Sequence, residues 1–260
     1  MEKIIRNAKE SDIPAMKLLW LECFPADVEY SKFFFDRIFR LPCARVCEIG
    51  GVCVAMIHVF PYDFATPDGI LHAKYIYGVG TTGAFRGRGI AGEMLESEAH
   101  SCDFTVIIPQ SISLFDFYER YGYTELFSVS KTVTEGKGDE TLHRATEKDI
   151  PRINEMYEAM CKDIVHPIRS EERWKTIMAE FEFLGGGISL SETGYCVHYE
   201  YEGKTEICEL CGNAADLFGK GCTATVPGES IRLGLARLIS SRAKEIFSKG
   251  YGKYMNLMHN

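Results

Sequence analysis

Residues 8–14 read AKESDIP and residues 145–151 read ATEKDIP, so five of seven positions coincide across about half the chain. Arg6 and Arg144 stand just upstream of the two copies, and a helical stripe follows each. In the first, Ile13, Met16, Trp20, Cys23 and Phe24 share a face; in the second, Ile150, Ile153, Tyr157 and Met160 do so. This is the i, i+3, i+7 spacing of an amphipathic helix. Ser11 and Thr146 suit the N-cap, and Asp12, Pro14, Asp149 and Pro151 suit the first turn. A heptamer repeated with its helix implies two related halves. The polar, glycine-bearing stretch TEGKGDET (134–141) reads as their junction. The expected division is residues 1–135, a linker at 136–141, and residues 142–260.

Bulk properties exclude some functions. A net charge of −8 argues against general nucleic-acid affinity. The longest strongly apolar run, VCVAMIHVF (52–60), is far short of the roughly 20 residues that span a bilayer. The N-terminal MEKIIRNAKESDI has no signal-peptide core, so neither a membrane nor nucleic acid is an expected partner and the cytoplasm is the expected compartment. Ten cysteines occur at irregular spacing, several inside apolar patterns such as VCVAM and YEAMC, where cysteine behaves as a small hydrophobe. Cys208 and Cys211 form one C-x-x-C without a second pair or a nearby H-x-x-x-H. Reduced structural thiols are expected, with a metal or redox pair at 208 and 211 as the alternative; no metal cofactor is assigned.

The first half continues with a helix over 28–40 and strands at 45–51, 52–60 and 71–80, Gly50-Gly51 making the first hairpin turn. A helix with Ile90, Ala91, Met94, Leu95 and Ala99 on one face follows, then the wholly apolar central strand FTVIIPQ (104–110). A helix at 113–122 ends at Gly122, and a strand runs from Thr124 to Val133. Strands leading into strand–helix–strand–helix–strand indicate an α/β fold with a mixed central sheet flanked by helices.

Between the third of these strands and the next helix lies TTGAFRGRGIAGEML (81–95). It contains a literal G-x-G-x-x-G, but six residues separate Gly80 from Gly87, and the next strand ends in Pro109-Gln110 where a dinucleotide site needs an acid. The ending required of a Walker A loop is missing too. A plain solvated turn is the bland alternative. Successive amides at a helix start, with Gly87 and Gly89 keeping side chains away, make a cradle for a pyrophosphate. Arg86 and Arg88 add positive charge, unless one of them is merely solvated.

Arg86-Gly87-Arg88-Gly89-Ile90-Ala91 resembles the Arg/Gln-x-x-Gly-x-Gly/Ala signature of the GNAT N-acetyltransferases, at the place in the strand order where that family carries it. Arg6-x-Ala-x-x-x-Asp12-Ile13 and Phe117-Tyr118-Glu119-Arg120-Tyr121-Gly122-Tyr123 resemble its opening and closing elements, so the likeness covers residues 4–130. The resemblance implies a GNAT fold and acetyl-CoA as cosubstrate, with the backbone of Val79, Gly80 and Thr81 along the pantetheine arm. Residues Arg86, Gly87, Arg88, Gly89, Ile90, Ala91 and Gly92 would wrap the pyrophosphate. Tyr118 stands where the family has its proton donor, although Leu114, Phe117, Tyr118 and Tyr121 also form one apolar helical face. Ser111 replaces an asparagine common in the family seven residues before that tyrosine. Asp27, Glu29 and Tyr30 lie where the family forms its acceptor pocket, though an acidic loop is more often just solvated. No general base is identifiable; a water chain is an equal candidate.

The second half lacks the cofactor signature. Gly185-Gly186-Gly187 precedes a strand pattern, Pro227-Gly228-Glu229-Ser230 is expected to cap a helix over IRLGLARLI, and YCVHYEYEGKTEICEL (195–210) reads as a hairpin. The layout resembles the double-domain Eis-type branch without its sterol-carrier domain, the second half being a degenerate GNAT-like domain that covers the acceptor or mediates homo-oligomer contacts. In that branch a carboxylate from the third domain assists the active site, and that part does not transfer. The function implied is acetyl transfer to a small-molecule amine. A protein or peptide amine, or a catalytically silent acyl-CoA-binding module, are the alternatives.

Overall fold

The computed structural model describes residues 2–26, 28–134, 143–212 and 221–257. The expected linker at 136–141 lies outside the described residues. The first part of the chain forms β1 (Lys3–Asn7), α1 (Ile13–Cys23), α2 (Val28–Phe33), β2 (Ala44–Ile49), β3 (Val52–Thr66) and β4 (Gly69–Thr81). Next come α3 (Ile90–Glu98), β5 (Phe104–Ile107), α4 (Ile112–Glu119) and β6 (Thr124–Val133). The remainder forms β7 (His143–Arg144), α5 (Ile150–Met160), β8 (His166–Pro167), α6 (Glu171–Phe183) and β9 (Gly187–Leu190). It ends with β10 (Gly194–Tyr201), β11 (Lys204–Gly212), β12 (Thr223–Pro227), β13 (Ile231–Leu238) and α7 (Ser241–Ser248).

Two compact units result, each a mixed sheet flanked by helices, and neither is one continuous half of the chain. The first comprises Met1–Asp63, Ile70–Glu125 and Gly234–Lys249. Its strands run in the order β1-β2-β3-β4-β5-β13. The second comprises Phe64–Gly69, Leu126–Leu233 and Gly250–Asn260, with the order β6-β12-β11-β10-β9-β7. The two halves read from the repeat therefore exchange segments, most notably β13 and α7.

Both copies of the repeat fold alike. Strand, 3-10 turn and helix follow one another at β1, Glu10–Asp12 and α1, and again at β7, Glu147–Asp149 and α5. The shared aspartate does the capping: Asp12 accepts the Lys9 N–H at 2.7 Å and Asp149 accepts the Thr146 N–H at 2.8 Å. Ser11 lies inside the turn and caps nothing. Arg6, bonded to Asp12 at 2.6 Å, holds that carboxyl below the usual carboxylate range.

IRLGLARLI departs from the expected helix. Leu, Ala and Arg favour a helix intrinsically, yet these residues form β13, antiparallel to β5 with Leu235 opposite Ile107 and Leu238 opposite Phe104. All four residues of β5 are buried, so its ladder groups need partners on both edges. Supplying those partners and burying Leu235 and Ala236 outweighs local propensity. A second departure concerns residues 28–40. The α-helix stops at Phe33, and Phe34–Ile38 is a π-helical turn closed by the Phe39 N–H on the Phe34 carbonyl at 2.7 Å.

The hairpin of β10 and β11 is as expected, with Glu202 and Gly203 left-handed at its turn. Cys208 and Cys211 pack into the second unit's core, where burial pushes each thiol up to about 12. None of the ten cysteines forms a disulfide. Among the described residues no helix is long and apolar enough to cross a membrane.

Candidate active site

β4 and β5 are parallel, paired at Ala73–Phe104, Lys74–Thr105 and Tyr75–Val106. β4 runs on to Thr81, so Ile76–Thr81 extends past the last residue paired with β5. Gly78 lies in that stretch with φ +58°, a left-handed kink inside a strand. A Cβ there would sit 2.8 Å from Trp20 Cζ3 and 3.0 Å from His58 Nδ1. One built on Gly80 would come within 3.1 Å of Cys23 Sγ. Both glycines let α1 lie directly on β4.

The segment leaving β4 is tied back to α1. Glu22 accepts the Gly83 N–H at 2.6 Å and the Thr82 hydroxyl at 2.8 Å, and these bonds hold its carboxyl below the ordinary range. Arg86 donates Nε–H to the Thr81 carbonyl at 2.8 Å, and the Arg88 guanidinium lies 4.8 Å over the Phe85 ring. Neither arginine forms an ion pair among the described residues, and both are exposed. Gly87 (φ +74°) and Gly89 (φ +77°) are left-handed, and a side chain on either would point into open space. Gly89 is the N-cap of α3, and its carbonyl takes the Glu93 N–H at 3.0 Å. The N–H groups of Ile90, Ala91 and Gly92 precede that first helical bond and have no partner within the helix.

The predicted loop residues thus divide by role. Gly87 and Gly89 are exposed, next to the first amides of α3. The Ile90 side chain is core, and Gly92 is small because a Cβ would lie 2.0 Å from Tyr121 Cε1. The absent side chain at 92 serves helix packing rather than a ligand.

Tyr118 on α4 is buried in the same cluster as Ile76, Ile90 and Ile107, with Val79 packed against it. Its hydroxyl makes no hydrogen bond among the described residues, and burial pushes its pKa well above that of an ordinary phenol. Tyr123 is different: its hydroxyl accepts from Thr105 at 2.9 Å. Ser111, the N-cap of α4, has its hydroxyl 3.1 Å from that of Ser113.

Asp27 lies outside the described residues. Glu29 is exposed and paired with Lys32 at 2.8 Å, whereas Tyr30 accepts from the Tyr77 hydroxyl at 3.2 Å and is thereby joined to β4. The sequence reading missed Glu22 and Gly78. A glycine inside the strand pattern YIYGVG is a local signal for a kink; Glu22 acts on a loop 61 residues away and left none.

A parallel strand pair whose first member runs on past its partner, followed by a glycine turn into a helix, places an α/β domain's exposed loop at the end of β4. Residues 4–126 match the family described as acetyltransferase (GNAT) domain. Over this span the chain is similar to GNAT acetyltransferase domains. No curated protein sequence matches the chain. Solved structures share the fold across both units. The GCN5-related N-acetyltransferase from Anabaena variabilis has a TM-score of 0.73 at 13% identity, covering 93% of this chain and 74% of its own. A putative acetyltransferase from Pyrococcus horikoshii scores 0.63 at 14%, covering 99% and 96%. Eis1 from Mycobacterium abscessus scores 0.61 at 10%, covering 92% and 74%.

Proposed function

We propose that the chain is an N-acetyltransferase that takes its acetyl group from acetyl-CoA and passes it directly to an amine of a small molecule, in the double-domain Eis-like manner. The observation that carries this reading is the coincidence at one end of β4 of a strand stretch without a β5 partner, two exposed left-handed glycines and the first amides of α3, which have no helical partner. Ten free cysteines support a reducing, cytoplasmic setting.

These residues fit acetyl-CoA. When bound, the cosubstrate supplies an acetyl group activated as a thioester. The free amides of Ile90, Ala91 and Gly92 would hold its pyrophosphate, with Arg86 and Arg88 adding charge. The backbone of Val79–Thr81 would pair with the pantetheine amides in place of the missing β5 partner. The Tyr118 O–H, neutral and without a protein acceptor, would donate toward the departing sulfur. The Glu22 clamp fixes where the loop starts.

Two measurements test the reading. Calorimetric titration with acetyl-CoA is expected to give one site per chain; two sites would overturn a second unit without cofactor. A thiol-release assay is expected to show turnover on small amines. Turnover on peptides alone would favour a protein acetyltransferase, and binding without turnover a silent module. Gly89→Val should weaken acetyl-CoA binding about tenfold or more, because a β-branched residue at φ +77° costs roughly 1–2 kcal/mol and displaces the amides. Unchanged affinity would remove the loop from the site.

A further inference from the structure

His58 on β3 is fully buried and Trp20 on α1 is 2% exposed, and both lie against the kink at Gly78. Among the described residues neither ring nitrogen of His58, nor Nε1 of Trp20, makes a hydrogen bond of normal geometry; the Tyr77 backbone comes near the imidazole without completing one. Buried polar atoms without partners are rare in native proteins, and each calls for a reason. Here three occur on two rings whose centroids are 5.8 Å apart. The walls around them are aromatic. Phe34 stacks on Trp20 at 4.5 Å and meets His58 edge-on at 4.9 Å, while Phe39 approaches His58 at 5.8 Å. Tyr77 approaches Trp20 at 5.9 Å.

Position gives the cluster a meaning. It abuts β4 at Gly78, and Val79, where the pantetheine arm is proposed to begin, is the next residue. We propose that Trp20 and His58 are specificity-determining residues of the acceptor site, and that the acceptor is an aromatic amine whose ring carries a hydrogen-bonding substituent. This rests on the acetyltransferase reading above. The aromatic walls suit a flat apolar body and favour a nearby ammonium by cation–π attraction. The indole offers a donor, and a neutral imidazole offers one donor and one acceptor. Burial, slightly opposed by the Tyr77 backbone, pushes the His58 pKa down to about 3, so the ring is neutral and does not repel a cationic amine. The cover over the pair is the π-helical turn Phe34–Ile38, an element that recurs at functional sites, and it is the part of the wall that would yield to a ligand.

The alternative is a core pair with no ligand, and the two differ in what apolar replacement does to substrate ranking, not to stability. In both cases His58→Phe removes two orphaned atoms and is expected to melt at or above the wild-type temperature. If the pair reads the acceptor, wild-type protein should favour tyramine over phenethylamine, which lacks only the hydroxyl, by about tenfold in kcat/KM, with hexylamine poorer still. His58→Phe should erase the tyramine advantage while leaving the KM for acetyl-CoA unchanged. Trp20→Phe should reduce the same advantage and keeps the test decisive if His58→Phe fails to fold. An unchanged ranking in both variants, or a wild-type preference for hexylamine, overturns the proposal. Calorimetry with acetyl-CoA alone separates the two levels: absent binding would sink the acetyltransferase reading, whereas normal binding with unchanged ranking sinks only the acceptor assignment.

Discussion

Replacing Tyr118 with phenylalanine is expected to lower kcat by about a hundredfold while acetyl-CoA affinity stays within about twofold, the low end of general acid–base effects. The ring would remain in its cluster with Ile76, Val79 and Ile107, and no protein hydrogen bond is lost, so stability should barely change. Only the O–H disappears. Burial disfavours the phenolate, so the group stays protonated as pH rises through the ordinary phenol range near pH ~10. The loss of activity on the alkaline side below that pH should therefore not come from Tyr118. A raised pKa also makes full proton transfer to a thiolate uphill. The hydroxyl is better understood as a fixed donor that stabilises charge as it develops on sulfur. Tyr123→Phe is the control: it orphans the Thr105 hydroxyl, should cost about 1–3 kcal/mol of stability, and should leave kcat nearly intact. Equal kcat in Tyr118→Phe and wild type would assign Tyr118 to packing alone.

The second large effect lies in the other unit. The Glu209 carboxylate is fully buried and accepts from Arg169 Nη1 and Nη2 at 2.6 and 2.8 Å, and from the Tyr195 and Tyr254 hydroxyls at 2.7 Å each. Arg169 also donates to the Asn256 carbonyl at 2.8 Å, and its guanidinium lies 3.9 Å over Tyr157 and 4.7 Å over Trp174. Glu209→Gln would leave a buried guanidinium without its counter-charge, which typically costs about 3–5 kcal/mol. Joint replacement of Arg169 by Met and Glu209 by Leu should cost far less only when Tyr195 and Tyr254 are also changed to phenylalanine, because their buried hydroxyls lose their acceptor with Glu209. Denaturant unfolding can report each unit separately, because the two tryptophans divide between them: Trp20 in the first and Trp174 in the second. The Trp174 transition should shift strongly in Glu209→Gln and the Trp20 transition weakly. A shift below about 1 kcal/mol in the Trp174 transition would show that the network contributes little.

Local chemistry made much of this legible. The repeat announced two strand–turn–helix openings because a capping aspartate, a first-turn proline and an apolar stripe are all short-range signals. The hairpin of β10 and β11 announced itself through a Glu-Gly turn, and the loop at 86–92 through glycines whose spacing fits a helix start. What stayed hidden depends on partners far along the chain. IRLGLARLI has helical residues and becomes a strand because β5, over a hundred residues earlier, has an open edge. Trp20 and His58 read as ordinary core positions until the kink at Gly78 brings them together. Nothing near Glu209 hints at Arg169, which lies 40 residues away. The capping role expected of Ser11 fell to Asp12 because the helix starts through a 3-10 turn.

The return of Gly234–Lys249 to the first unit bears on how the protein is made and how it can be divided. A ribosome must add more than a hundred residues after β5 before that strand acquires its second neighbour. Until then Phe104–Ile107, wholly apolar, presents an unpaired edge of the kind that recruits other strands. Cutting the gene at the apparent junction would strand β13 and α7 on the wrong fragment. The first fragment would then hold the loop at 86–92 without the strand that pairs with β5. The exchanged segment ties the first compact unit to residues on both sides of that junction.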